Sequence, residues 1–376
     1  MAQAIYRPSW AEIDLDHIMY NIKQMKEKLT PSSKIIAVVK ADAYGHGAVE
    51  VAKAALKAGA EGVAVALLEE AIALRDARID VPILVLGRVF PEHAPIALER
   101  DITLTVFQIE WIQAAEQHLL AAEATGKLSI HLELDTGMNR TGIRTAKALA
   151  DCIDALNNCE RIYLTGVYTH FATADEADTT YYVQQTERFD ALKEQVKALW
   201  SDPVAYHISN SAAAIQYTKD AQDYIRFGVA MYGLHPSPYV AETEAISLKP
   251  AFSLHSKLVE VKQLPAGERI SYGGTYTTSD TEFIGTVPIG YADGWVRKLQ
   301  GADVLVDGKR MPIVGRICMD QFMIRLDKAY EIGQQVTLIG KQGEAEITMQ
   351  EIAARLETIV YEIPCIIGSR IPRIYK

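Results

Sequence analysis

Short β-branched runs alternate with amphipathic stretches over more than half the chain. The runs at 34–40 (KIIAVVK), 62–66, 83–87, 102–106, 129–135, 163–170, 206–210 and 224–234 are predicted strands. Segments such as VEVAKAALKAGA and AKALADCIDALNN carry apolar residues at helical spacing between them, and glycines or polar turns mark most junctions. Eight strand–helix units over about 200 residues fit a (β/α)8 barrel of the TIM type, with a doubly wound open sheet as the competing layout. Near residue 240 the texture changes. After HPSPYV come short β-rich runs (FSLHSKLVEVKQL, TEFIGTVPIG, DVLVDGKRMPIVG, QQVTLIG) and one late helix, MQEIAARLETI. The predicted class is therefore α/β, with a barrel over 1–240 and a mostly β domain over 241–376. The extended opening RPSWAEIDL fits either domain, and residues 1–13 are candidates for pairing with the β domain.

Composition narrows the picture. With 49% hydrophobic and 23% charged residues, the chain has the mix of a globular protein. A formal net charge of −10 disfavours nucleic acid and anionic membranes as partners. The start lacks a secretory leader, and no apolar run reaches the length of a membrane helix. The four cysteines (Cys152, Cys159, Cys318, Cys365) are spread too widely for a zinc site and are expected as buried free thiols, which points to a reduced, cytoplasmic protein without a metal.

In βα barrels, chemistry collects at the C-terminal ends of the strands. Lys40 closes the first predicted strand after five apolar residues, and Arg140 follows the fifth. His170 ends the sixth, His207 lies in the seventh with Asn210 and Ser211 after it, and Arg226 lies in the eighth. Singly, each has an ordinary reading as a solvated loop residue or a hydrogen-bonded core residue; together on one rim they do not. A lysine leaving an apolar strand is partly desolvated, which favours a nucleophilic amine that forms Schiff bases. The segments NSAA (210–213) and FGVA (227–230) offer hydroxyl and backbone N–H donors after strands seven and eight, where barrels hold phosphate. Together these suggest pyridoxal phosphate more than a Schiff-base aldolase. An arginine such as Arg226, facing the pyridine nitrogen, would leave that nitrogen unprotonated.

The motifs AVVKADAYGHG (37–47), LDTGMNRTG (134–142), YTHFATAD (168–175), ISNSAA (208–213), RFGVAMYG (226–233), SYGGTY (271–276), IGYADGW (289–295) and GRICMDQ (315–321) occur in order. Through them the whole chain resembles the alanine racemase family. The resemblance implies a pyridoxal 5'-phosphate enzyme of fold-type III that interconverts L- and D-alanine, a peptidoglycan precursor. It also implies a head-to-tail homodimer with shared active sites. Lys40 matches the lysine that carries the cofactor, and Tyr272 the second base, lent by the partner subunit. Tyr44, Ser211, Gly228 and Val229 match phosphate contacts, with Asn210 beside them. Arg226 matches the partner of the pyridine nitrogen, with His207 near it, and Leu86 packs near the cofactor. His170 matches the residue supporting the tyrosine. Arg140 matches the contact to the cofactor's ring hydroxyl and to the substrate carboxylate, and the Met319 backbone N–H a second contact to that carboxylate. Tyr291 and Asp320 resemble the lining of the entry channel.

Racemisation needs two bases on opposite faces of one carbon. A tyrosine serves only if cationic neighbours favour its ionised form, and a chain through His170 to Arg226 is the expected source. Two positions depart from the family. Glu133 stands where a carbamylated lysine often braces the arginine; its carboxylate could brace Arg140 directly, and because the side chain is shorter a water or a shifted arginine is expected to close the gap. Ser369 stands where many members carry a tyrosine, which leaves room for serine as a side substrate. A fold-type III decarboxylase, a non-catalytic pyridoxal phosphate carrier and a metal-dependent barrel hydrolase are the rival readings. Tyr272, Arg226 and the compact length disfavour the first, the β domain with Tyr272 the second, and the scarcity of acidic strand-end residues the third.

Overall fold

The computed structural model describes residues 6–376. Residues 1–5, part of the 1–13 span considered for pairing with the β domain, lie outside the described residues. The chain divides into two compact units. One comprises His17–Ala43 and Ala48–Lys249; the other comprises the N-terminal stretch to Asp16, Tyr44–Gly47 and Pro250–Lys376.

Strand β1 (Ser9–Ile13) belongs to the second unit. The first unit is built on eight parallel strands: β2 (Lys34–Val38), β3 (Gly62–Val65), β4 (Ile83–Arg88), β5 (Thr103–Val106), β6 (Leu128–Glu133), β7 (Ile162–Tyr168), β8 (Ala205–His207) and β9 (Tyr224–Phe227). They neighbour one another in order from β2 to β8, and β9 lies on the far side of β2. The Arg226 N–H donates to Ser209 O at 2.9 Å just past β8, which nearly closes the cylinder. The expected (β/α)8 barrel is therefore present. Strands covered on both faces read as unbroken apolar runs, and Ile35–Val38 and Gly62–Val65 are buried throughout. The intervening helices bury one stripe each. In Ala48–Lys57 it is Val51, Ala52, Ala54 and Ala55; in Ala146–Asn157, whose first turn is capped by Thr145 Oγ1, it is Leu149, Cys152, Ile153 and Leu156.

Five predicted strands overrun by two residues or more: the fifth stops at Glu133 and the seventh at His207, and three others matter for the site. The first stops at Val38, the sixth at Tyr168 and the eighth at Phe227, after which Val229–Tyr232 forms a 3-10 turn. Lys40 and His170 thus lie just beyond their strands rather than at their ends.

The second unit carries β10 (Phe252–Lys257), β11 (Glu260–Leu264), β12 (Arg269–Ile270), β13 (Tyr276–Thr277), β14 (Glu282–Val287), β15 (Asp303–Val306), β16 (Lys309–Val314), β17 (Phe322–Leu326), β18 (Gln335–Gln342), β19 (Ala345–Ile347) and β20 (Arg373–Tyr375). Its main sheet runs β11-β14-β17-β16-β15-β18-β10-β1-β20, with β19 beside β18. Strand β1 runs antiparallel to β10 and parallel to β20, so both ends of the described chain meet in this sheet. The late helix is Met349–Leu356, and a second, Glu362–Ile366, was not predicted. All four cysteines are free; Cys152 is buried, but Cys365 is exposed, contrary to expectation. No helix among the described residues is long and apolar enough to cross a membrane, and no cluster of metal-ligating residues occurs among them.

Candidate active site

At the rim of the barrel, Arg226 is the hub. It is buried and points its guanidinium across the ends of β7 and β8. Nη1 donates to His207 Nδ1 and to His207 O, both at 2.9 Å. Nη2 donates to Thr169 O at 2.7 Å, to His170 Nδ1 at 3.3 Å and to Ile208 O at 3.3 Å. Among the described residues Nε has no hydrogen-bond partner. An arginine only donates, so both imidazoles must accept at Nδ1 and carry their protons on Nε2. His207 Nε2–H then donates to His131 Nδ1 at 2.9 Å, which leaves the His131 proton on its own Nε2.

Burial keeps these rings neutral. It pushes His131 down to about 4 and His170 down to about 3, and the charge of Arg226 adds to both, joined at His170 by Arg140 and Lys40. Burial first, then His131 and Arg226, lowers His207 well below the ordinary imidazole value. Burial also lowers Arg226 to about 10, against the pull of Tyr168 and Glu133, so it stays charged at neutral pH. Tyr168 forms the floor: its ring stacks on His207 at 4.7 Å and 12°, the Arg226 guanidinium lies 5.1 Å from its centroid, and its hydroxyl meets Thr105 Oγ1 at 3.1 Å. Neither His131 nor Tyr168 was singled out in the sequence, although strand alternation from Glu133 puts His131 on the same face. The sheet makes room for the His131 ring at Gly166, where a Cβ would lie 2.5 Å from it.

Lys40 is half-buried and opens an unusual turn. Ala41, Asp42, Ala43 and Tyr44 all have φ between 51° and 55°, a left-handed stretch without a glycine. For L-residues this costs roughly 1–2 kcal/mol each, so surrounding contacts must impose it. Half-buried Leu86 lies in β4.

On the side predicted to hold phosphate, Asn210 Oδ1 caps the Ser211–Gln216 helix through Ala213 N–H at 3.0 Å. Ser211 Oγ accepts from Gly228 N–H at 2.9 Å, which leaves the serine proton free to be donated. The Gly228 N–H is therefore engaged by Ser211. Val229 opens the 3-10 turn, where the first N–H groups have no partner inside the turn.

The expected direct brace between Glu133 and Arg140 does not form. The buried Glu133 carboxylate accepts from Thr141 Oγ1 at 2.8 Å instead, whereas Arg140 is exposed and makes no ion pair with it among the described residues. A glutamate is too short here, and the hydroxyl next to Arg140 takes its oxygen. Burial raises the Glu133 carboxyl above its ordinary 4.5, against Thr141, Arg140 and Arg226. The folded chain thus holds this proton more tightly than the unfolded chain, and stability falls as pH rises through that window. The Tm advantage of Glu133→Gln should therefore grow as pH rises above about 4.5 and level off once the buried carboxyl has ionised. A constant difference measured by calorimetry at several pH values counts against this.

The remaining predicted residues lie in the second unit. Tyr44 is pushed up by burial, then by Tyr361 and Cys365; its ring lies 6.3 Å from that of Tyr361, a residue the sequence reading passed over. Tyr272 sits in the loop between β12 and β13 and is 72% exposed. Its neighbour Ser271 holds a left-handed φ of 65° while its hydroxyl donates to Arg316 O at 2.6 Å. Tyr272, Met319 and Asp320 line an open cleft of ≈ 700 Å³ with Ser271, Gly273, Cys318 and Gln321. The Tyr291 turn is tied to the Met319 loop: Tyr291 N–H donates to Cys318 O at 3.1 Å and Ala292 N–H to Met319 O at 3.0 Å. At Gly290 a Cβ would lie 2.3 Å from Met319 O, so glycine permits that approach. Asp320 accepts from Arg370 at 2.6 Å, and Arg370 also pairs with buried Asp293. Ser369 is exposed on the adjoining turn.

A lysine amine, a buried cation with an open Nε–H, a free serine hydroxyl and a turn of N–H groups together suit a phosphorylated carbonyl cofactor. Comparison with known proteins identifies the family. Residues 13–236 match the family model of the alanine racemase N-terminal domain and 251–375 that of the C-terminal domain. The chain is 51% identical over 374 residues to the alanine racemase of Halalkalibacterium halodurans, covering 98% of this chain and 95% of that one. It is 50% identical over 370 residues to alanine racemase 1 of Bacillus subtilis, covering 98% and 93%. The solved alanine racemase of E. faecalis superposes with a TM-score of 0.96 at 47% identity, covering all of both chains. A histidine racemase from Leuconostoc mesenteroides superposes with 0.92 at 32%, covering 100% of this chain and 99% of that one. The chain therefore belongs to the alanine racemase family.

Proposed function

We propose that this protein interconverts L- and D-alanine, using pyridoxal 5'-phosphate held on Lys40, and so supplies D-alanine for peptidoglycan. The observation that carries the reading is the Arg226 hub, whose Nη groups are consumed by two neutral histidines while Nε remains available to an acceptor. Ser211, Val229 and Tyr44 would hold the phosphate, Leu86 would pack near the ring, and Arg226 Nε would face the ring nitrogen. When bound, the cofactor makes the α-hydrogen of an amino acid acidic enough to be removed.

The chain then handles protons and orientation. Lys40 Nζ exchanges the α-proton on one face of the substrate carbon. The partner subunit's Tyr272 exchanges it on the other, within a homodimer whose active sites are shared. The exposure of Tyr272 supports that role, since a catalytic phenol gains its low-dielectric surroundings only from a second wall. With its proton on Nε2, His170 can donate to the ionised phenol and stabilise it, backed by the charge of Arg226. Arg140 and the Met319 N–H would hold the substrate carboxylate, and Tyr291 and Asp320 would line the entry.

The test is formation of D-alanine from L-alanine by protein carrying its cofactor, with no CO2 released from basic amino acids. CO2 release without racemisation would favour a decarboxylase. Serine turnover belongs to the same reading, supported by the small exposed Ser369. A kcat/KM for serine below roughly a ten-thousandth of that for alanine would remove it.

A further inference from the structure

The strained turn after Lys40 needs an external hold, because four consecutive L-residues at positive φ rewind when unsupported. Two holds are local: Ala43 N–H reaches Val39 O at 2.9 Å, and Asp42 Oδ1 accepts from Ala48 N–H at 2.8 Å. The third comes from the next βα unit. Glu70 is the third residue of the Leu68–Asp76 helix. Its Oε2 accepts from Ala66 N–H at 2.8 Å and Leu67 N–H at 3.1 Å, as a glutamate serving its own helix start would. Its Oε1 does something a helix cap does not require: it accepts from Ala41 N–H at 2.6 Å, 29 residues away. One carboxylate therefore ties the start of the left-handed turn to the end of β3. A charge-assisted bond is the stronger kind available for such a restraint.

We infer that Glu70 is the positioning residue that holds the turn after Lys40 in its left-handed form, and thereby aims the Lys40 amine. The inference rests on the reading of Lys40 as cofactor carrier. Ala41 is exposed and makes a suitable reporter. The variants are Glu70→Ala, Glu70→Gln and Glu70→Ala with Ala41→Gly, all compared with the parent holoenzyme.

Glu70→Ala should lose hydrogen-exchange protection over residues 40–44, alter the visible circular dichroism of the bound cofactor and lower kcat at least about tenfold. Glu70→Gln, which keeps one acceptor oxygen, should fall between parent and alanine variant. Adding Ala41→Gly should recover part of the loss, because glycine adopts positive φ without steric penalty. A plain helix cap predicts a lower Tm with unchanged protection at 40–44, unchanged dichroism and no rescue by glycine; that result overturns the inference. Borohydride reduction and peptide mapping of the parent report separately on the carrier role of Lys40. If no adduct is found there, the cofactor reading fails, while the exchange measurement on cofactor-free protein still decides whether Glu70 holds the turn.

Discussion

Lys40→Ala should leave a folded protein that retains no cofactor after desalting and whose racemase turnover falls on the order of 10⁴-fold or more. Two functions vanish together. On the proposed reading the covalent anchor goes, and so does the base on one face of the substrate carbon, whereas the phosphate donors proposed at Ser211 and Val229 would keep only reversible affinity. Folding should survive, because Lys40 is half-buried and follows the end of β2 rather than lying within the apolar run. Lys40→Arg is the sharper control, since it preserves the positive charge that His170 experiences but cannot form the covalent bond at neutral pH. Both variants should be equally inactive, with Tm values close to the parent's cofactor-free form. Added methylamine should restore part of the turnover in Lys40→Ala, where the truncated side chain leaves space for it. If Lys40→Ala keeps the cofactor and more than roughly a tenth of the activity, neither role belongs to Lys40.

The barrel was legible because buried parallel strands are apolar on both faces, so their runs stand out against amphipathic helices. Strand ends were not legible, for physical reasons visible at three places. Val39 is as buried as the strand it follows, and hydropathy cannot register that the chain has left the sheet. The same holds for Val229–Tyr232, a 3-10 turn buried at every position. The turn over Ala41–Tyr44 carries no glycine, and its left-handed form is imposed by groups such as Glu70 that lie elsewhere in the sequence. Among the side chains, Arg226 and the histidines were readable as polar residues in apolar strands. His131 could have been found by extending the alternation back two residues from Glu133. Tyr361 could not, because an aromatic residue ahead of a short helix resembles any other packing residue. The relation between Glu133 and Arg140 turned on side-chain length against a competing hydroxyl at Thr141, which one sequence does not rank.

Tyr272→Phe should keep the cofactor bound and its spectrum intact, since the phenol lies outside the barrel residues proposed to hold the ring and phosphate. Racemisation should nevertheless fall by about 10²–10⁴-fold, the range associated with loss of a positioned acid or base. The loss must be the same in both directions: the two alanines are mirror images with an equilibrium constant of one, so the kcat/KM values of a variant cannot diverge. Proton exchange without inversion is what separates the faces. In deuterated water, the enantiomer whose α-hydrogen faces Lys40 should continue to take up label, while the other should lose its hydrogen only at the slowed racemisation rate. His170→Phe should show a weaker form of the same asymmetry, because on the proposed reading its Nε2–H, fixed by the Arg226 Nη2 bond to Nδ1 at 3.3 Å, would support the partner subunit's phenol, and the substitution leaves the Lys40 amine in place. Were both enantiomers to keep wash-in equally in Tyr272→Phe, a single base, Lys40, would be serving both faces. The phenol would then be only a wall of the cleft it shares with Met319.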